Sequence, residues 1–252
     1  MVFEKYICGE EKNSAYEAIY SMMAEYDLGL SYADMMRLRI SGKLKDECHD
    51  VYYVAHEGGK GVSRHWMGYG KHKDAIGNWG NFYTDPDYRR QGLGAGVLNL
   101  WLEDLKTTEH KPLCFLCTGG ALSLAQRYAQ FGFRPAIRGK EFGPLYMPVG
   151  DSPDTFLEFC ENYYKPSPVI FHRPATIEYR HEIDCLLRFY AIDNELDLSM
   201  DGVKYAEEGL LYQPGKTGML FSEDGHCIGW SFGGKIRLHP LYKNSEIVNQ
   251  SV

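Results

Sequence analysis

Hydrophobic positions along the first 149 residues change period in a readable order. Tyr6 to Cys8 is a short apolar run fit for a strand. Ala15, Ile19, Met22, Met23 and Tyr26 then recur at helical spacing behind Ser14-x-x-Glu17, which reads as a capping box. A second helix is expected from Ser31 to about Ile40, carrying Met35, Met36 and Leu38 and stopped by Ser41-Gly42. These methionines and aromatics suit either a packed core or an adaptable wall for an acceptor. Val51 to His56 alternates as a strand does, and Glu57 to Gly61 forms a hairpin-type loop. Strands follow through Trp66, Met67 and Tyr69 and over Trp79 to Thr84. Val97, Leu98, Trp101 and Leu105 share one helical face, with Asn99, Glu103 and Lys106 on the other. Pro112 restarts the chain as a buried strand over Leu113 to Cys117, a helix runs from Leu122 to Gln130, and two short strands lie near Arg134 to Ile137 and Phe142 to Met147.

The stretch Asn81 to Leu105 carries the candidate chemistry. Asp85-Pro86-Asp87 is a turn signature that closes a strand, because proline fixes φ and the acids form Asx-type turns. Arg89, Arg90, Gln91, Gly92, Leu93, Gly94, Ala95 and Gly96 then place three glycines where a helix begins. The free N–H groups of a helix's first turn, its dipole and two guanidinium groups make an anion site there. The spacing is neither Gly-x-Gly-x-x-Gly nor a P-loop ending in Gly-Lys-Ser/Thr.

Arg89-x-x-Gly92-x-Gly94 after a strand and Asp-Pro-Asp-Tyr resembles the coenzyme A signature of the GCN5-related N-acetyltransferases (GNAT). Ala125-Gln126-Arg127-Tyr128-Ala129-Gln130-Phe131-Gly132-Phe133 resembles the same family's Ala-x-x-x-Tyr-x-x-x-Gly-Phe segment. The element order is also similar to the complete GNAT fold, a mixed α+β (α/β) acyl-CoA N-acyltransferase sheet. The resemblance implies acetyl-CoA as cosubstrate and no metal. It implies that backbone groups of Phe82, Tyr83 and Thr84 hold the pantetheine arm and the thioester carbonyl. Pyrophosphate would fall to the amides of Arg90, Gln91, Gly92, Leu93, Gly94 and Ala95, with Arg89 at the motif's basic position. Tyr128 corresponds to the tyrosine that protonates the departing thiolate. A phenol of pKa near 10 is protonated at neutral pH and needs no tuning for that role.

A general base is not legible. The strand at Cys114 to Cys117 lacks the carboxylate that some relatives place there, and Ala121 stands where others have asparagine. Asp85, His65 and His72 are candidates of turn or surface type. The expected activity is transfer of acetyl to a primary amine of a small molecule or peptide, by direct attack in a ternary complex. The alternative is a non-catalytic acyl-CoA-binding or interaction module.

Pro148, Gly150, Pro153, Pro166 and Pro168 punctuate a linker over 150–167, with a short helix from Asp154 to Tyr164. Domains are therefore expected at 1–149 and 168–252. Val169 to Glu182 resembles the opening strand and helix of the same family, and Ile183, Leu186, Leu187 and Tyr190 continue it as a helical stripe. Gly218 to Phe221 and Cys227 to Phe232 flank an Asp-Gly hairpin signal, and Ile236 to Lys243 echoes Asn81 to Arg89. Lys243 is followed by no glycines, so this partial copy is expected to serve structure, substrate shaping or a homodimer contact. Its incomplete sheet leaves an edge to be covered. An unrelated small α+β extension is the alternative.

Composition narrows the partners. The 252 residues include 27 basic and 34 acidic side chains, a net charge of −7, which argues against a general nucleic-acid surface. The same balance, with the aromatic helices, favours a cationic amine acceptor. No run approaches a membrane span and Met1 to Asn13 lacks a signal pattern, so a cytoplasmic protein is expected. Seven cysteines in apolar contexts read as reduced core thiols. Cys114-x-x-Cys117 lies in a strand-like run, where residues three apart face opposite sides, and His49, His65 and His72 are too dispersed for a zinc site.

Overall fold

The computed structural model of the protein describes residues 1–23, 30–193 and 209–250. Its contacts divide the chain into two units, Met1–Lys71 with Gly77–Pro112, and His72–Ile76 with Leu113–Val252. The whole is a mixed α/β fold, with an additional sheet in its C-terminal part.

In the first unit β1 (Val2–Ile7), β2 (Cys48–Glu57), β3 (Lys60–Gly70) and β4 (Ile76–Thr84) form an antiparallel run in chain order. The helices are α1 (Ser14–Met22), α2 (Leu30–Ile40) and α3 (Leu93–Thr107). The expected capping box is not formed. Asn13 caps α1 instead, its side chain accepting from Tyr16 N at 3.1 Å, while Ser14 Oγ is drawn to Glu4. Asparagine caps as well as serine does, and one residue earlier it satisfies the same orphan donors. Tyr26 lies outside the described residues. Met22, Met35 and Met36 are buried, and Met36 packs with Ile19, Tyr52, Val54 and Trp66. Their burial favours core packing over an acceptor wall.

Two buried polar clusters fix this unit. Trp66 Nε1 donates to Asp50 at 2.9 Å, and the Arg39 guanidinium lies 4.0 Å above the Trp66 ring and 3.7 Å from the same carboxylate. Asp104 of α3 accepts from Lys5 on β1 and, at 2.6 Å, from Tyr53 on β2. That carboxylate sets the rotation of α3 against the sheet and so the direction in which its N-terminus points.

The second unit holds β5 (Cys114–Gly119), α4 (Leu122–Ala129), β6 (Arg134–Pro135) and β7 (Gly143–Pro148), with β7 antiparallel to both β5 and β6. The stretch expected as a linker carries α5 (Phe156–Tyr163), capped by Thr155. Its Phe156, Phe159, Cys160 and Tyr163 are buried in one cluster with Leu116, Tyr146 and Ile170. Next come β8 (Val169–Pro174), α6 (Arg180–Asp193), β9 (Thr217–Phe221), β10 (Cys227–Phe232), β11 (Lys235–Leu238) and β12 (Glu246–Asn249), in the sheet order β11-β10-β9-β8-β12.

The β8, β9, β10, β11 series has the order and antiparallel sense of β1 to β4. β12 was not anticipated. It pairs in parallel with β8 and covers the edge left open by the shortened copy. Helix α6 also reaches residues 72–76: buried Glu182 accepts from Ile76 N at 2.8 Å and meets the His72 ring at 3.0 Å. All seven cysteines are buried free thiols. No helix among the described residues is long and apolar enough to cross a membrane.

Candidate active site at the start of helix α3

Strand β4 is irregular before it ends. Arg64 pairs with Tyr83 and Trp66 with Gly80, so Asn81 and Phe82 together oppose the single residue His65, which is a β-bulge. Asn81 takes φ +55°, a left-handed conformation that asparagine tolerates better than most residues. It is 8% exposed, and its Oδ1 has no hydrogen-bond partner. Sequence reasoning passed over Asn81 because nothing in an aromatic run marks a bulge.

The strand then closes as a single 3-10 turn, Pro86–Tyr88, with the Asp85 carboxylate accepting from Asp87 N at 2.9 Å. Ser63 Oγ donates to the Tyr83 carbonyl at 3.1 Å, and Arg89 Nε donates to the Thr84 carbonyl at 3.1 Å. Those two carbonyls are therefore engaged within the chain. Phe82, Tyr83 and Thr84 are half-buried, whereas Arg89, Arg90, Gln91 and Gly92 are exposed.

Arg90 at φ +65° and Gly92 at φ +77° turn the chain into α3. A non-glycine residue held left-handed costs about 1–2 kcal/mol, and such strain clusters at binding sites. No side chain caps the helix and no acid occupies its first turn. The first intrahelical bond runs from Gly96 N to Gly92 O at 2.9 Å, so the amides of Leu93, Gly94 and Ala95 precede the ladder. The two signature glycines serve different ends. A Cβ on Gly92 would meet nothing within 4 Å, so that position needs glycine for its backbone angle. At Gly94 a Cβ would lie 2.8 Å from Phe82 Cζ and 3.3 Å from Thr84 Oγ1, so glycine lets the helix start close against the strand end. Uncapped amides, two exposed guanidinium side chains and no local carboxylate on α3's first turn together suit a phosphate-bearing ligand.

Tyr128 lies in the second unit, on α4, 5% exposed, its ring 6.2 Å from that of Phe133. The base candidates prove to be of another kind than expected. His65 is no surface residue: it is fully buried, stacked on Tyr53 at 5.2 Å and beside Trp79 at 4.8 Å and Trp101 at 5.3 Å. Burial drives its pKa down to about 3 against a weak opposing pull from the Gly80 backbone, and neither ring nitrogen attains hydrogen-bond geometry. His72 is likewise mostly buried, held by Glu182 and stacked 4.0 Å from Tyr179. Asp85 caps its own turn. Among the described residues no group of three or more His, Cys, Asp or Glu could hold a metal ion.

A strand, a bulge, a basic glycine turn and an uncapped helix make an acyl-CoA transferase type of site. The sequence profile of the acetyltransferase (GNAT) domain matches residues 48–135, from the start of β2 to the end of β6. Through that domain the chain belongs to the GNAT superfamily. Among solved structures it is similar to *Escherichia coli* ElaA, at 14% identity and a TM-score of 0.43 over 60% of this chain and 100% of that one. An acyl-CoA N-acyltransferase from *Pseudomonas aeruginosa* aligns at 12% identity and a TM-score of 0.43, over 58% of this chain and 99% of that one. The ribosomal-protein-S18-alanine N-acetyltransferase of *E. coli* aligns at 15% and 0.39, over 60% and 97%. Comparison with curated protein sequences gives no match.

Proposed function

We propose that the protein is an N-acetyltransferase that moves acetyl from acetyl-CoA to a primary amine of a small molecule or peptide. The observation that carries this reading is the start of α3, where uncapped amides follow Gly92 and no acid competes for them. Amides from Arg90 to Ala95 would hold pyrophosphate, with Arg89 and Arg90 adding charge, and the strand end at Phe82 to Thr84 would receive the pantetheine arm. The cosubstrate supplies an activated thioester. The chain supplies orientation and a proton: Tyr128 carries it on its phenol oxygen and gives it to the departing sulfur as the amine attacks. No side chain is assigned as base, because Asp85 is a cap, His72 is held by Glu182 and His65 is buried. Water, or an amine of low pKa, would then take the second proton.

One observation favours the alternative of a non-catalytic acyl-CoA-binding module: β5, Cys114–Gly119, carries no carboxylate. Equilibrium binding of acetyl-CoA and thiol release over a panel of cationic, neutral and anionic amines separate the two. The transferase reading expects binding and release with at least one amine, and Tyr128→Phe that lowers turnover without weakening binding. Binding with no release on any acceptor supports the module.

A further inference from the structure

The C-terminal sheet contains a line of three polar side chains that the coenzyme A site does not use. Ser231 Oγ on β10 lies 2.8 Å from His172 Nε2 on β8, and His172 Nδ1 lies 3.0 Å from Asn249 Oδ1 on β12. With Asn249 Oδ1 as acceptor, the ring proton sits on Nδ1, and Nε2 presents a lone pair to the serine hydroxyl. That is the order of a nucleophile, its base and the group that orients the base.

The sheet is built to let these residues meet. β9 lies between β8 and β10, and an ordinary side chain on it would separate the pair. Gly218 is the residue in the way. It pairs with Ser231 on one side and Pro174 on the other, and a Cβ there would lie 2.3 Å from His172 Nε2 and 2.7 Å from Ser231 Oγ. Asn249 comes from β12, directly opposite His172 in the parallel register. Ser231 is 6% exposed, His172 is half-buried and Asn249 is exposed, so the line runs from the sheet interior out to solvent.

We propose that Ser231 is an activated nucleophile that takes an acyl group from a small activated ester or thioester. Its Oγ forms the new bond to the acyl carbon. The proton passes to His172 Nε2 and on to the departing alkoxide or thiolate, leaving acyl-serine and free alcohol or thiol. A small donor is required because the hydroxyl is reached only beside the half-buried imidazole. The site shares no residue with the glycine turn, so it stands or falls independently of acetyl-CoA binding.

The full-length chain is treated with diisopropyl fluorophosphate, and the adduct is located by peptide mass spectrometry. One adduct is expected, on Ser231, with fluoride released. His172→Gln should slow labelling at least about 100-fold, the lower bound for loss of a general base. Gly218→Ala should slow it too, and Asn249→Asp should preserve it. Circular dichroism of each variant checks folding. Absence of an adduct from the wild-type chain, labelling elsewhere, or a His172→Gln rate equal to wild type would overturn the proposal; the first two need no variant at all.

Discussion

His65 makes acid stability a direct test of the core beneath β4. The imidazole is fully buried among Tyr53, Trp79 and Trp101, and its pKa falls from 6.5 to about 3. The folded state thus binds fewer protons than the unfolded chain between those values, so stability must fall as pH drops through that window. At 1.36 kcal/mol per unit the full shift corresponds to roughly 5 kcal/mol, of which about 3 kcal/mol is lost by pH 4. His65→Phe keeps a planar ring in the aromatic stack and removes both the titration and two unsatisfied nitrogens. Urea unfolding of wild type and variant at pH 7, 5 and 4 reads the difference. The variant should be at least as stable at pH 7 and should gain about 3 kcal/mol relative to wild type by pH 4. Other histidines cancel in the comparison. Parallel stability profiles for the two proteins across the range would show that His65 is not held neutral by burial.

Two further substitutions address the site and the C-terminal helix. Gly94→Ala forces a Cβ to 2.8 Å from Phe82 Cζ, and the retreat of helix from strand should weaken acetyl-CoA about tenfold or more by calorimetry, equal to 1.4 kcal/mol; unchanged affinity would remove the glycine from the cradle. Arg188 on α6 is nearly buried, bonded to Asp184 at 3.1 Å and to the Cys117 carbonyl at 2.6 Å. Arg188→Met strands the Asp184 charge and should cost about 3–5 kcal/mol in urea unfolding, and adding Asp184→Leu should recover part of that loss.

How much of this was readable in the chain depends on whether the signal was local. The face of α3 was legible because Val97, Leu98, Trp101 and Leu105 recur at the helical period and are all buried. The roles of Gly92 and Gly94 followed from position, although only coordinates separate the backbone demand of one from the close approach of the other. Asn81 was not legible, since a bulge depends on what the neighbouring strand aligns with it. His65 was misread for a related reason: a histidine on an alternating strand looks exposed unless the rings around it, from β2, β4 and α3, are known. β12 went unseen because four residues in a polar tail carry no usable period, and its strand identity comes from β8.

The two halves part company at one turn, and the turn explains what each can hold. Both enter it alike: the Asp85 side chain accepts from Asp87 N, the His239 ring accepts from Leu241 N at 3.1 Å, and each precedes a Pro-led 3-10 turn. Burial keeps His239 neutral for that acceptor role by lowering its pKa to about 4. After the turn the first half goes left-handed at Arg90 and Gly92 and winds into a fifteen-residue helix with free amides. The second half stays right-handed at Lys243, with φ −55°, and its chain extends into β12. A strand spends its amides on its neighbour, so this end of the copy has none to offer a pyrophosphate. What it gains is Asn249, set opposite His172 by the same pairing. Loss of the glycine turn and appearance of the Ser231, His172, Asn249 line are therefore two consequences of one change in backbone direction.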